Sequence, residues 1–145
     1  MSSKQNQQLV SDLRTVVTRL VKKLRTKSSL SVHLSLTERS VMGLLDSHKE
    51  LLPSELAAME KVTTASMSQI LAHLLELGYI IRKPSATDGR KAIISLSQVG
   101  KDTVLQARSQ REEWLLKALE HTTTAEEQAR LRSIIDILTK LVDYE

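Results

Sequence analysis

The sequence predicts a mainly α-helical protein with one small β-hairpin. Three observations carry that expectation. Apolar residues recur at three- and four-residue steps through most of the chain. The period turns strand-like only between residues 79 and 96. The 145 residues hold two prolines and four glycines, few for a protein built on many turns. The length suits about one domain with a substantial core. With 41% hydrophobic and 26% charged residues, the composition is that of a water-soluble globular protein. Aromatic residues make up 2%, so the core is expected to be aliphatic.

Each element has its own signal. Leu9, Leu13, Val16, Val17, Leu20, Val21 and Leu24 form one stripe on a long first helix. Residues 28–35 read as a connection. Ser35 and Glu38 make a capping box for a helix over 36–47, with Val41, Leu44 and Leu45 inward. Pro53 suits the first turn of a short helix over 54–60, where its missing N–H costs nothing, with Leu56 and Met59 inward. Leu52 before it offers no capping oxygen, so that start is expected to be poorly capped. Thr63 or Thr64 caps the next helix, whose stripe is Met67, Ile70, Leu71, Leu74 and Leu75, and Gly78 ends it.

Residues 79–82 and 92–96 then read as two strands around a polar turn containing Pro84, Asp88 and Gly89. The turn exceeds a tight hairpin loop, so its tip should project. Ser97 caps a long helix over about 98–119. Residues 121–123 break it. Thr124 and Glu127 form a further capping box. The last helix turns Leu131, Ile134, Ile135, Leu138, Leu141 and Val142 inward.

The order helix, short helix, turn, helix, hairpin is that of a winged helix-turn-helix, whose second helix can enter the DNA major groove. Such a helix must be apolar on one side and polar on the other. Ser66, Ser68, Gln69, Ala72 and His73 lie off the apolar stripe, and hydroxyls, Gln and His can bond phosphates or base edges. Arg82, Lys83, Arg90 and Lys91 surround the projecting tip. An arginine there can enter a narrow minor groove, where the negative potential is enhanced. Asp88 can hold the Arg90 guanidinium by a charge-assisted bond. The reader is thus expected within residues 54–96.

Charge distribution agrees with a polyanionic partner. The net charge is +4 and the isoelectric point is near 9.5. Residues 1–30 carry Lys4, Arg14, Arg19, Lys22, Lys23, Arg25 and Lys27 against Asp12 alone, whereas acids outnumber bases over residues 111–145. There are no cysteines, which removes disulfides, thiolate metal sites and thiol redox sensing. His33, His48, His73 and His121 do not pair at ligand spacing, so no metal is expected. No nucleotide-binding glycine loop and no nucleophile with a base stands out; no cofactor and no enzyme activity are expected. No run of 18 apolar residues occurs and residues 1–8 are polar, so no membrane partner and a cytoplasmic location are expected.

The residues also resemble a family. The run Leu74-Leu75-Glu76-Leu77-Gly78-Tyr79-Ile80-Ile81-Arg82, then Asp88-Gly89-Arg90, then Leu96-Ser97-Gln98-Val99-Gly100 is similar to the pattern of the MarR family of bacterial winged-helix regulators. There a leucine-rich helix is followed by Gly, an apolar pair and Arg, then Asp-x-Arg, then Leu-Thr-x-x-Gly. The resemblance covers nearly the whole chain. It implies a homodimeric transcription regulator, most often a repressor, on a pseudo-palindromic operator, with a small-molecule effector as a further partner. Residues 1–34 and 98–145 would be the helical dimerisation region, and residues 35–97 the winged helix-turn-helix.

The DNA-binding residues expected on this basis are Ser54, Lys61, Thr63, Thr64, Ser66, Ser68, Gln69, His73, Arg82, Asp88, Arg90 and Lys91. The dimerisation residues are Leu9, Leu13, Val16, Leu20, Leu131, Ile134, Ile135, Leu138 and Leu141. Many members carry an Arg where Gln69 or His73 stands, and this recognition helix has no Lys or Arg after Lys61. Bidentate guanine reading by arginine is therefore absent from it. Two other readings stay open at this point: a nonspecific DNA-binding protein and a winged-helix protein-interaction module. A monomer burying both terminal stripes against each other is the alternative to the dimer.

Overall fold

Capping side chains set where the helices begin. The computed structural model describes the backbone of residues 2–145, and the side chains of all of these except residues 31 and 32. Helix α1, Ser3–Arg25, opens on Ser2, whose Oγ accepts the Gln5 N–H at 3.3 Å while Gln5 Oε1 accepts the Ser2 N–H at 2.8 Å. Helix α3, Leu36–His48, opens on the expected Ser35–Glu38 box, with bonds of 3.1 and 2.8 Å. Helix α4, Pro53–Glu60, has no side-chain oxygen at Leu52, yet Glu55 Oε1 accepts the Leu52 N–H at 2.9 Å. Half of the capping box is thus present at a start expected to be poorly capped.

The connection over residues 28–35 is not plain loop. It contains a single helical turn, α2 (Leu30–His33), which drops Leu30 and Leu34 into the core. One turn has too few apolar positions to show a period. Helix α5, Thr64–Glu76, is capped by Thr63, whose Oγ1 accepts the Ser66 N–H at 3.1 Å. It ends at Gly78, φ +78°, where the Gly78 and Tyr79 N–H groups close back onto the Leu75 and Leu74 carbonyls at 3.0 Å.

Strands β1 (Ile80–Pro84) and β2 (Ala92–Leu96) form the antiparallel hairpin, in register Ile80↔Leu96, Arg82↔Ile94 and Pro84↔Ala92. The first strand starts one residue later than expected and runs two further. Leu51 adds a bridge to Ile94, its N–H donating to Ile94 O at 3.1 Å and its carbonyl accepting the Ile94 N–H at 2.8 Å. Helix α6 is Gln98–Thr122, longer than expected: the Thr123 N–H still closes onto the Leu119 carbonyl at 3.1 Å, and the Thr122 and Thr123 hydroxyls also donate to the carbonyls four residues earlier. Helix α7 is Ala125–Val142, capped by Thr124 and Glu127 as expected.

The chain divides into two compact units, Met1–Arg111 and Glu112–Glu145, and α6 runs through the boundary. The first holds the core. Val41, Met42 and Leu45 of α3, Leu56 of α4, Met67 and Leu74 of α5 and Ile94 of β2 are almost fully buried in it. Leu30, Leu34 and Ala107 join that core from beyond residues 35–97. Met59 and Leu75, expected inward, are exposed. The buried pair on α4 is Leu56 and Ala57, and at 3.6 residues per turn Met59 lies about 110° round the helix from their midpoint. Leu75 sits at the edge of its stripe.

No residue of α1 and none of α7 is buried in the single chain. In the first unit Leu9, Val16 and Leu20 are exposed and Leu13 is half-buried. In the second unit Leu131, Ile134, Ile135 and Leu141 are exposed and Leu138 is half-buried. No helix among the described residues is long and apolar enough to cross a membrane.

Candidate nucleic-acid interface

Helices α4 and α5 are joined by a three-residue turn. Lys61 makes it possible by taking the left-handed conformation, φ 55° and ψ 43°, as the cap of α4. The Val62 N–H returns to the Ala57 carbonyl at 3.0 Å, and Thr63 begins α5. Met67, Leu71 and Leu74 anchor α5 in the core, which leaves its opposite face in solvent.

That face carries the predicted residues in different states. Thr64, Ser66, Ser68 and Gln69 are all exposed. Ser66 Oγ accepts from Thr63 Oγ1 at 3.0 Å, and Ser68 Oγ donates to the Thr64 carbonyl at 3.0 Å. The hydroxyls are therefore held by their own helix, each with bonding capacity left over. Gln69 has no protein partner among the described residues. His73 stands at the edge of that face, its side chain 44% exposed. It is half-buried, with Nδ1 2.5 Å from Glu38 Oε1 of α3. Ser54 is exposed in the first turn of α4.

The wing is the cationic part. Between β1 and β2 the chain is pinned by its own bonds. The Ser85 N–H donates to Lys91 O at 2.8 Å, the Lys91 N–H to Asp88 O at 3.0 Å, and Ser85 Oγ accepts the Thr87 and Asp88 N–H groups at 3.3 and 3.4 Å. Asp88 Oδ1 accepts twice from Arg90, at 3.1 Å from its backbone N–H and at 3.3 Å from Nε. The Asp88 side chain is 32% exposed and that of Arg90 is 93% exposed. The carboxylate thus anchors one edge of the guanidinium and leaves the other to solvent. Arg82 and Lys91 are exposed on the same hairpin.

Sequence reasoning missed two constraints that hold this unit together. Glu38 was legible only as a cap; its second oxygen reaches α5, and nothing local announces a partner 35 residues away. Gly100 is the other. A Cβ there would lie 2.0 Å from the Tyr79 carbonyl oxygen. The start of α6 rests directly on the end of the α5 turn. Ser97 seals the junction, its N–H donating to Tyr79 O at 3.0 Å, its Oγ donating to Gly78 O at 2.5 Å and accepting the Gly100 N–H at 3.0 Å.

A core-anchored helix behind a short turn, followed by a hairpin with a cationic tip, defines a winged helix-turn-helix protein. Comparison with known proteins gives its place within that class. Residues 34–91 match the MarR family model. An uncharacterized HTH-type transcriptional regulator of Mycobacterium leprae is 35% identical over 135 residues, 93% of each chain. The crystal structure of a Pseudomonas aeruginosa PA01 protein, named as a transcriptional regulator, superposes with a TM-score of 0.83 at 29% identity over 99% of both chains. A mutant of Staphylococcus aureus MepR bound to an oligodeoxyribonucleotide shares the fold, with TM-score 0.71 at 20% identity over 92% of this chain and 97% of that one. The chain belongs to the MarR family of HTH-type transcriptional regulators.

Proposed function

We propose that the protein represses transcription in the cytoplasm as a homodimer on a pseudo-palindromic operator, and that a small molecule releases it. The observation that carries this reading is the wing tip: Arg90, held along one edge by Asp88 and otherwise in water. An arginine so presented is suited to a narrow minor groove. Helix α5 offers the major groove its outer face, where Gln69 is exposed with no protein partner among the described residues and the exposed acid Glu76 lies two turns further on. The exposed apolar faces of α1 and α7 are the surfaces a second copy covers. A two-fold dimer of such units reads half-sites about one helical turn, roughly 34 Å, apart. The MepR complex with an oligodeoxyribonucleotide, on the same fold, supports a DNA partner.

Because α5 has no Lys or Arg, nonspecific coating of DNA is the rival outcome. Selection from random genomic fragments at two salt concentrations separates the two. Enriched pseudo-palindromes support the operator reading, whereas uniform retention with a steep salt slope supports coating. No retention removes DNA as the partner. Arg90→Ala is expected to weaken binding by about 1–3 kcal/mol and leave the fold intact. Unchanged affinity would overturn the role given to the wing.

A further inference from the structure

One period sets the buried and open sides of α5. Met67, Leu71 and Leu74 face the core. At about 100° per residue, the opposite arc carries Ser68, Ala72, Ala65, Glu76 and Gln69 in that angular order, within about 100° of one another. All five are exposed. This is the surface a groove would meet, and it carries no cation.

Its hydrogen-bonding character is one-sided. Ser68 Oγ donates its proton to the Thr64 carbonyl at 3.0 Å, so toward an outside partner it only accepts. The Glu76 carboxylate likewise accepts only. Ala65 and Ala72 offer methyl groups. The Gln69 amide –NH2 is the one side-chain donor on the arc, and it stands beside a carbonyl that accepts.

Each base pair makes a different demand on such a surface. A guanine edge shows two acceptors, N7 and O6, and is best met by two donors side by side, which this arc lacks. A cytosine amino group suits the acceptors but brings the acceptors of its paired guanine with it. An A·T pair shows the N7 acceptor beside the N6 amino donor, with a thymine methyl group across the pair. Gln69 matches that adenine pattern with both halves of its amide, and alanine methyls match the thymine. The spacing agrees. At about 1.5 Å per residue, Ala65 stands about 6 Å before Gln69 along the helix and Ala72 about 4.5 Å beyond it, roughly one to two base steps to either side. Like-charge repulsion between Glu76 and the phosphates favours entry by the earlier turns of α5.

We propose that α5 reads A·T pairs, with Gln69 bonded to N6 and N7 of one adenine and Ala65 and Ala72 packed on thymine methyl groups beside it. This preference rests on the operator reading above and names the class of sequence bound. The wing then supplies charge, and α5 supplies selection.

Selection of fully randomised duplexes by the full-length protein is the test. The expected product is a pseudo-palindrome with A·T pairs at the centre of each half-site, including one adenine whose replacement costs about tenfold in affinity. Re-selection with Gln69→Arg should exchange that adenine for guanine, because arginine presents two donors to N7 and O6. Gln69→Glu, which keeps only acceptors, should exchange it for cytosine. Gln69 is exposed, so both variants are expected to fold, which thermal unfolding checks. In the duplex selected by the parent, deoxyuridine in place of a contacted thymine removes only the C5 methyl group and should weaken binding about fourfold. That loss should vanish in Ala65→Gly or in Ala72→Gly, according to which alanine meets the methyl. A pseudo-palindrome with G·C pairs at the half-site centres, or an unchanged preferred base in both folded Gln69 variants, would overturn the A·T preference while the operator reading stands. A methyl loss that persists in both glycine variants would remove the alanines from the contact. Retention with no enriched sequence would overturn both readings.

Discussion

Glu38 and His73 stand 35 residues apart in the chain and meet with Oε1 and Nδ1 2.5 Å apart, the carboxylate side chain only 12% exposed. The other carboxylate oxygen accepts the Ser35 N–H at 2.8 Å. One side chain therefore caps α3 and braces α5. It also sets the imidazole, since Nδ1 must face the carboxylate and Nε2 is left for any outside partner.

That pair predicts a pH dependence. Burial pushes the Glu38 carboxyl up, but the His73 hydrogen bond, the Ser35 N–H and the His73 charge outweigh it and hold the group below the ordinary carboxylate range. A carboxylate depressed in the folded state adds stability at neutral pH, and the gain is lost as pH falls through its folded-state value. Urea midpoints of the parent should therefore fall between about pH 5 and pH 3. Glu38→Gln should lower the midpoint at pH 7 and show a shallower acid limb. Parallel limbs would show that the pair carries no proton linkage.

Asp88 is expected to act on DNA only through Arg90. Asp88→Ala frees the guanidinium and the wing backbone without removing the cation. The loss in affinity should be about 0.5–1 kcal/mol, smaller than for Arg90→Ala, because an exposed pair contributes mainly pre-organisation. Combining the two substitutions should give no more than Arg90→Ala alone. An additive double variant would mean that Asp88 acts independently.

The two glycines at the α5–hairpin–α6 junction should respond differently. Gly78 has φ +78° and open space around it, so Gly78→Ala meets only the left-handed penalty of about 1–2 kcal/mol. At Gly100 an added Cβ meets the rigid Tyr79 carbonyl at 2.0 Å. Gly100→Ala must lift α6 from the turn and is expected to destabilise by about 2–4 kcal/mol. Thermal unfolding of the two variants tests the order, and an equal or reversed ranking would contradict the packing described.

Lys61 separates stability from binding. It occupies the left-handed cap of α4 without being glycine. Lys61→Gly should raise stability by up to about 1 kcal/mol. The same change removes a cation from the turn before α5, so DNA affinity should fall and the salt slope should drop by about one ion. A variant that is stabilised with unchanged DNA binding would remove Lys61 from the interface.

The dimer is tested by charge placed in the exposed stripes. Leu20→Glu combined with Ile135→Glu replaces apolar groups that are both open in the single chain. Sedimentation should shift from dimer to monomer with the helical signal largely kept. A dimer that persists would place the interface elsewhere.

Much of this molecule is legible in one line of letters, because much of it is local. Each capping box spans four residues, and the stripes of α3 and α5 repeat every turn. The Asp88–Arg90 contact joins side chains two positions apart, so the wing tip could be read with its internal bond. What escaped depends on distant chain meeting in space. Glu38 on His73, Leu51 on Ile94, and Gly100 on Tyr79 leave no periodic trace. The exposure of Met59 escaped for a local reason: an eight-residue helix has too few apolar positions to fix which way it turns.

The sequence by itself determined the order of the longer elements, the hairpin and its cationic tip, since these follow from periodicity, caps and turn residues within a few positions of one another. Only the tertiary structure decided that His73 is held by Glu38 instead of standing free, that the start of α6 is clamped onto Tyr79, and that Leu51 bridges to Ile94. Those relationships arise when the core closes, and core closure joins residues by burial and shape, which sequence spacing does not encode.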